Sequence, residues 1–146
     1  MTATVDANVL VYASDEASAR HEPARVLLEE LAAGPTLLYV FWPTVMAYLR
    51  IATHPSVFER PLSPDSALGN VERLLAAPAV QTAGEEPRFW PLFREVANDG
   101  DARGNLVPDA HLVSLMRQNG VRTIWTHDRD FHRFPGLDVR DPFAAE

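Results

Sequence analysis

The chain of 146 residues contains no cysteine and no lysine. The lack of cysteine excludes a disulfide framework, a cysteine-ligated zinc site and a thiol nucleophile. No apolar run approaches the roughly 20 residues that cross a bilayer, and the first residues lack the basic and apolar pattern of a secretory signal. We therefore expect a cytoplasmic protein with no membrane contact.

The charge of the chain is unbalanced, because 20 acidic residues outnumber 13 basic residues, all of them arginines. The net charge of −7 argues against the broad basic surface with which proteins bind duplex DNA nonspecifically. Arginine is then the only permanent cation, and its planar guanidinium suits phosphate recognition. A nucleic acid is therefore expected to be held locally, by a bound metal ion and a few arginines.

Segments typical of strands alternate with amphipathic segments typical of helices. Strands are predicted at 2–5, 36–41, 79–82, 122–125 and 137–140. Helices are predicted at 7–13, 22–33, 43–53, 86–98 and 110–118. A further helix is predicted to begin at a cap, Ser63 or Asp65, and to end near 76. The helix at 86–98 is predicted to bury one apolar face, which comprises Phe89, Trp90, Leu92, Phe93 and Val96. The alternation favours a three-layer α/β/α fold with a central, mostly parallel sheet of four to five strands, formed by a single domain over 1–146.

Four aspartates stand next to predicted strand ends or helix starts. Asp6 follows the first strand and Asp109 precedes the helix at 110–118. Asp128 and Asp130 follow the strand at 122–125. The carboxyl ends of parallel strands open onto the crevice in which α/β proteins bind ligands, and repulsion among carboxylates there is relieved by a hard cation such as Mg²⁺ or Mn²⁺. The pattern predicts a metal-dependent phosphodiesterase that cuts RNA.

Each acid alone also has a purely structural interpretation. Asp6 and Asn8 suit the turn from a strand into a helix, and Asp109 suits the N-cap of the helix that follows it. The metal hypothesis therefore depends on convergence of the acids, with Asn105 and Thr126 as nearby neutral hydrogen-bonding groups.

Four segments, taken in order, resemble the PIN-domain ribonucleases, and more closely the VapC toxins of bacterial toxin-antitoxin pairs. Val-Asp-Ala-Asn-Val-Leu at 5–10 resembles the opening motif of the family, and 104–112 resembles its third motif, in which an Asp-Ala pair opens a helix. Thr-His-Asp-Arg-Asp-Phe at 126–131 resembles the fourth motif, and 48–55 matches a segment common in one branch of the toxins. Order and spacing agree over essentially the full length.

The resemblance implies an endoribonuclease in which four aspartates are catalytic. Asp6 and Asp109 would bind Mg²⁺, with Mn²⁺ as the alternative ion, and Asp128 would bind it directly or through water. Asp130 would support these ligands.

The resemblance also implies roles for residues around the acids. Asn8 and Thr126 would fix the orientation of the carboxylates, with Asn105 near them. Arg50 and Arg129 would contact phosphates that flank the scissile bond.

One position departs from the family, because Ala47 stands where a glutamate is usual. Loss of that acid predicts weaker metal binding or only one well-held ion. An alternative function is therefore a degenerate PIN-like module that binds without cleavage. A phosphatase similar to the haloacid dehalogenases, with Asp6 as nucleophile, is a further alternative, but Asn8 replaces the second acid of that family and its usual lysine is missing.

The resemblance implies three macromolecular partners. RNA is the expected substrate, and a small VapB-like antitoxin is expected to cover the acidic site. A homodimer is expected as well, with Trp42, Tyr48 and Phe58 as candidates for its contact, although core burial is the competing explanation for most of these side chains.

Overall fold

The structure, a computed structural model, describes residues 2–144. Five strands form one sheet in which every neighbouring pair is parallel, and no antiparallel pair occurs among the described residues. The strands are β1 (Thr2–Val5), β2 (Leu37–Phe41), β3 (Val80–Ala83), β4 (Thr123–Trp125) and β5 (Asp138–Arg140). The helices are α1 (Ala7–Ser14), α2 (His21–Ala33), α3 (Trp42–Ala52), α4 (Pro64–Leu75), α5 (Phe89–Asp99), α6 (Leu106–Gln118) and a 3-10 helix (Arg129–Arg133).

The sheet separates two hydrophobic cores. Successive side chains of a strand point to opposite faces, so Leu38 and Val40 of β2 enter one core and Tyr39 and Phe41 enter the other. Helices α1 to α4 pack in the first core, whereas α5, α6 and the 3-10 helix pack in the second. The three-layer α/β/α fold is thus confirmed. None of the helices within residues 2–144 is long and apolar enough to span a bilayer.

The strand order β3-β2-β1-β4-β5 makes β1 the central strand. The chain moves outward from β1 to β3 on one side and continues with β4 and β5 on the other side. In such a sheet the crevice lies beyond the carboxyl ends of the two strands at which the order reverses, here β1 and β4. Val5 is in register with Trp125, and the N–H of Asp6 donates to the carbonyl of Trp125 at 3.0 Å. The segments after β1 and β4 therefore lie side by side.

Helix α6 begins earlier than the sequence predicts, at Leu106 instead of Ala110. Pro108 lies in its first turn, where the missing N–H would have had no acceptor within the helix. The interpretation of Asp109 as an N-cap is therefore wrong, because Asp109 lies inside the first turn and Asn105 is the N-cap residue.

Helix α5 differs from its prediction in two respects. It begins at Phe89, not at Glu86, because the residue before Pro87 is disfavoured in helical conformation, and the carbonyl of Glu86 accepts the N–H of Phe89 in a turn. Trp90 was expected to face the core with its neighbours, but it is 66% exposed. The other helices and strands agree with their predicted limits to within a few residues.

The three side chains suggested for a dimer contact have different environments. Tyr48 and Phe58 are buried in the first core, so core packing accounts for them. Trp42, at the start of α3, is exposed and stays available for a partner.

Candidate metal centre

Asp6 lies at the point where β1 ends, and its carboxylate caps α1. Its Oδ1 accepts the backbone N–H of Ala7 at 2.7 Å. Its Oδ2 accepts the hydroxyl of Thr126 at 2.9 Å and the amide of Asn8 at 3.3 Å. Three donors therefore fix the position and rotation of this carboxylate.

Thr126 joins the acids that follow the two central strands. Its side chain is buried, and its Oγ1, which donates to Asp6, also accepts the N–H of Asp128 at 3.0 Å. The amide nitrogen of Asn8 lies 3.4 Å from the same oxygen, whereas the buried Oδ1 of Asn8 has no hydrogen-bond donor among residues 2–144. Both side chains thus donate a hydrogen bond to the carboxylate of Asp6.

Asp128 and Asp130 belong to the 3-10 helix that follows β4. Asp128 is its N-cap, and its Oδ1 accepts the N–H of Asp130 at 2.9 Å. This turn brings both carboxylates to Asp109 in the first turn of α6, so that one oxygen from each acid lies within 4.8 Å of the other two. Asp109 and Asp128 are half-buried and Asp130 is exposed.

The three carboxylates Asp109, Asp128 and Asp130 are hereafter the acid triad. Its donor set consists only of carboxylate oxygens, which suits a hard cation such as Mg²⁺ or Mn²⁺ better than zinc. The residues present therefore fit a divalent metal ion. The sequence analysis expects Asp6, Asp109 and Asp128 to bind the metal. The acid triad instead contains Asp130, and Asp6 lies beside it.

The electrostatic environment of the acids favours capture of a cation. Burial, together with smaller contributions from repulsion by Asp128, Asp6 and Asp130, raises the pKa of Asp109 to about 7. Burial also raises the pKa of Asp6, although the hydrogen bonds from Thr126 and Ala7 lower it, and Asp128 adds repulsion. Asp6 therefore shares one negative field with the acid triad.

The remaining predicted residues have different surroundings. Arg129 lines a surface cavity of about 370 Å³ together with Thr126 and Asp128. Arg50 is exposed in the last turn of α3, about 12 Å along the helix axis from its start. Asn105 is exposed, and its side chain makes no capping hydrogen bond.

Two histidines near the acids are bound to other carboxylates. His111 pairs through Nε2 with Glu85 at 2.5 Å, and His127 pairs through Nδ1 with Asp141 at 2.9 Å. The cluster of metal-type ligands found within residues 2–144 contains no histidine. This arrangement speaks for an all-oxygen site.

Sequence reasoning missed the exposure of Trp90, whose ring stacks on Phe93 of α5. Trp90 was assigned to the core because it stands among Phe89, Leu92 and Phe93. The signal that distinguishes it is the helical period: Phe89, Phe93 and Val96 share one stripe, and Trp90 is rotated about 100° from Phe89.

The chain is similar to known proteins over nearly its whole length. Residues 3–137 match the profile of the PIN domain. Ribonuclease VapC48 of Mycobacterium tuberculosis is 49% identical over 145 residues, which cover 99% of this chain and 100% of the relative. Ribonuclease VapC43 of the same organism is 40% identical over 142 residues, which cover 97% and 96%.

Solved structures at low sequence identity share the fold. VapBC2 from Rickettsia felis, bound to a DNA fragment from its promoter, has a TM-score of 0.69 at 16% identity and covers 97% of this chain and 98% of that one. VapC20 of M. tuberculosis, named a sarcin-ricin loop cleaving toxin, has a TM-score of 0.69 at 18% identity, with 94% and 98% covered. These two likenesses bear on the fold alone.

Proposed function

We propose that this chain, which belongs to the PIN domain family, is an endoribonuclease that hydrolyses RNA phosphodiester bonds with a divalent metal ion held by aspartates. The observation that carries the proposal is the acid triad, whose oxygens lie within 4.8 Å of one another at the sheet edge where β1 and β4 end. The name ribonuclease, borne by two relatives of similar length, supports the choice of RNA.

Mg²⁺ is the proposed ion, and Mn²⁺ is the alternative with the same preference for oxygen. The acid triad would hold it, with Asp6 beside it in the same negative field. A bound ion would lower the pKa of an attacking water and stabilise charge on the leaving oxygen. Asn8 and Thr126 keep Asp6 in one orientation, and Arg129 at the neighbouring cavity is placed to contact a flanking phosphate.

We further propose that the protein is the toxin of a toxin-antitoxin pair and acts in the cytoplasm on cellular RNA. A crevice with four carboxylates suits a small antitoxin that inserts a basic side chain, because opposite charges steer and orient association. Trp42, exposed at the start of α3, is the proposed contact of a homodimer.

One observation favours a second candidate, a PIN-like module that binds RNA or a protein without cleavage. Ala47 supplies no carboxylate on α3, so the centre has one acid fewer than the family pattern. This candidate predicts RNA binding that no concentration of Mg²⁺ or Mn²⁺ converts into cleavage.

The test is substitution of the acids by asparagine, which preserves shape and removes charge. Asp109→Asn is expected to lower kcat/KM for Mg²⁺-dependent RNA cleavage by roughly 100-fold or more, because a metal ligand is lost. Glu72→Gln, at an exposed position of α4 on the other face of the sheet, is the matched control and should leave the rate unchanged. Full cleavage by both Asp109→Asn and Asp6→Asn would overturn the proposal.

A further inference from the structure

A polar cavity of about 370 Å³ adjoins the proposed metal centre where β4 ends, and Thr126 and Asp128 form part of its wall. Asp128 belongs to the acid triad, and the hydroxyl of Thr126 donates to the carboxylate of Asp6. The cavity and the metal centre therefore share a wall. A nucleotide beside a phosphate held at the centre lies within reach of the cavity.

The lining of the cavity suits a sugar-phosphate unit. Its other residues are mostly polar and comprise His127, Arg129, His132, Val139 and Asp141. Arg129 and His132 are exposed, and neither makes a hydrogen bond or an ion pair within residues 2–144. Stacking of a base requires an aromatic or apolar face, whereas ribose hydroxyls and phosphate oxygens pair with polar and cationic groups such as these.

His127 is held in a fixed orientation at this cavity. Its Nδ1 lies 2.9 Å from Oδ2 of Asp141, and because a carboxylate only accepts, Nδ1 carries the hydrogen. Oδ1 of Asp141 accepts the N–H of Phe143 at 2.8 Å, and the ring of Phe143 meets the imidazole edge-on at 5.6 Å. Nε2 of His127 has no hydrogen-bond partner within residues 2–144. The fold thus orients the imidazole and leaves one of its nitrogens available.

The metal centre alone does not distinguish RNA from DNA. A metal ion held by carboxylates activates a water molecule and acts on phosphate oxygens, which both nucleic acids have. The 2′-hydroxyl is the group by which a protein distinguishes RNA from DNA at a given position. Selectivity for RNA therefore has to come from a group beside the metal that contacts the sugar.

We propose that Nε2 of His127 hydrogen-bonds the ribose 2′-hydroxyl of the nucleotide next to the bond that is cut, so that the protein selects RNA over DNA; the inference rests on the proposed ribonuclease function. A hydroxyl both donates and accepts, so this bond forms whether or not Nε2 carries a hydrogen. Asp141 is a positioning residue that acts through the imidazole. Arg129, at the same cavity, pairs with the adjoining phosphate and keeps the ribose beside His127.

The first experiment measures binding in chelator, so that cleavage plays no part. The probes are a labelled oligouridylate of about twelve nucleotides and the oligodeoxyuridylate of the same length, which differ only in the sugar. The parent protein is expected to bind the RNA more tightly by about 2-fold to 10-fold, the range for one hydrogen bond. His127→Phe keeps a ring against Phe143 but removes both nitrogens, so it should weaken the Kd for RNA by that factor and leave the Kd for DNA unchanged.

Three further variants separate recognition of the sugar from a structural role. His54→Phe is the same change at an exposed position after α3, and it should alter neither Kd. His127→Gln retains a hydrogen-bonding group and should retain part of the RNA preference, and Asp141→Asn should reduce that preference by loosening the imidazole. An equal ratio of the two Kd values in the parent protein and His127→Phe would overturn the inference. Loss of affinity for both probes by the same factor would also overturn it, because a purely structural change affects both chains.

The two proposals fail separately when cleavage of the same two probes is measured. RNA preference in binding that His127→Phe removes, without any Mg²⁺-dependent or Mn²⁺-dependent cleavage, contradicts the nuclease and leaves the role of His127 standing. Metal-dependent cleavage whose kcat/KM ratio between RNA and DNA is the same in the parent protein and His127→Phe supports the nuclease and overturns the role of His127.

Discussion

Asp6 and Asp109 have the same type of side chain, but their carboxylates differ in hydrogen bonding. Asp6 accepts hydrogen bonds from Ala7, Asn8 and Thr126, so its orientation is set before any ligand arrives. Asp109 accepts no side-chain hydrogen bond among residues 2–144, and burial and repulsion hold its pKa at about 7. The comparison indicates that Asp6 is the fixed part of the centre, whereas Asp109 is the group whose charge a cation would stabilise most.

The strongest test of this comparison is the affinity for Mn²⁺ of two asparagine variants. Asp109→Asn is expected to weaken the Kd by about 100-fold, because the unpaired carboxylate is the best ligand available. Asp6→Asn should weaken it by about 10-fold, mainly through the lost charge. Isothermal titration calorimetry measures both values, with Glu72→Gln as control, and a larger loss in Asp6→Asn would reverse the assignment.

Removal of the Thr126 hydroxyl should weaken the hydrogen bonding that holds Asp6 in one orientation. Thr126→Val removes one of the three donors to Asp6, and it removes the acceptor of the N–H of Asp128 at a buried side chain. The free energy of unfolding in urea is expected to fall by about 1–3 kcal/mol, the cost of unsatisfied buried polar groups. Thr126→Ser retains the hydroxyl and should recover most of this loss. Equal stability of Thr126→Val and the parent protein would show that the hydroxyl does not hold the two segments together.

The smallest expected effect is the pH dependence of the free energy of unfolding of the metal-free protein. The pKa of Asp109 is about 7 in the folded chain and near 3.8 when exposed, so between these values the folded chain retains a proton that the unfolded chain has released. The free energy of unfolding therefore falls as pH rises, and the contribution is lost above about pH 7. We expect a drop on the order of 1 kcal/mol between about pH 5.5 and about pH 8 in urea titrations with chelator.

Two comparisons sharpen the pH experiment. Asp109→Asn should flatten most of the dependence and leave the smaller part that the raised pKa of Asp6 causes. Mg²⁺ at about pH 8 should restore stability in the parent protein, because it binds only the folded state. A pH dependence that is as steep in Asp109→Asn as in the parent protein would exclude Asp109 as its source.

The fold could be predicted from the sequence because the spacing of apolar residues changes sharply between strand-like and helix-like segments. Leu38 and Val40 alternate with Tyr39 and Phe41, which is typical of a strand buried on both faces, and such strands alternate with amphipathic helices. Asp6 was placed at the crevice because it directly follows β1.

Other features depend on geometry that the sequence does not carry. The start of α6 was missed because Pro108 is accepted within a first turn as readily as before it. Asp130 entered the acid triad because a single 3-10 turn, capped by Asp128, folds it toward α6, and a turn-forming sequence does not state that direction. Trp90 was misplaced because side-chain type was given more weight than its angle on the helix.

The hydroxyl of Thr126 is contributed by a residue that is 120 positions away from Asp6. A nascent chain from which Asp6, α1 and even Asp109 have emerged from the ribosome still lacks β4, the strand that pairs with β1. The pocket consequently cannot assemble until β4 and Thr126 have been synthesised and have left the ribosome exit tunnel. For a protein proposed to cut RNA, this late closure separates its own synthesis from its activity.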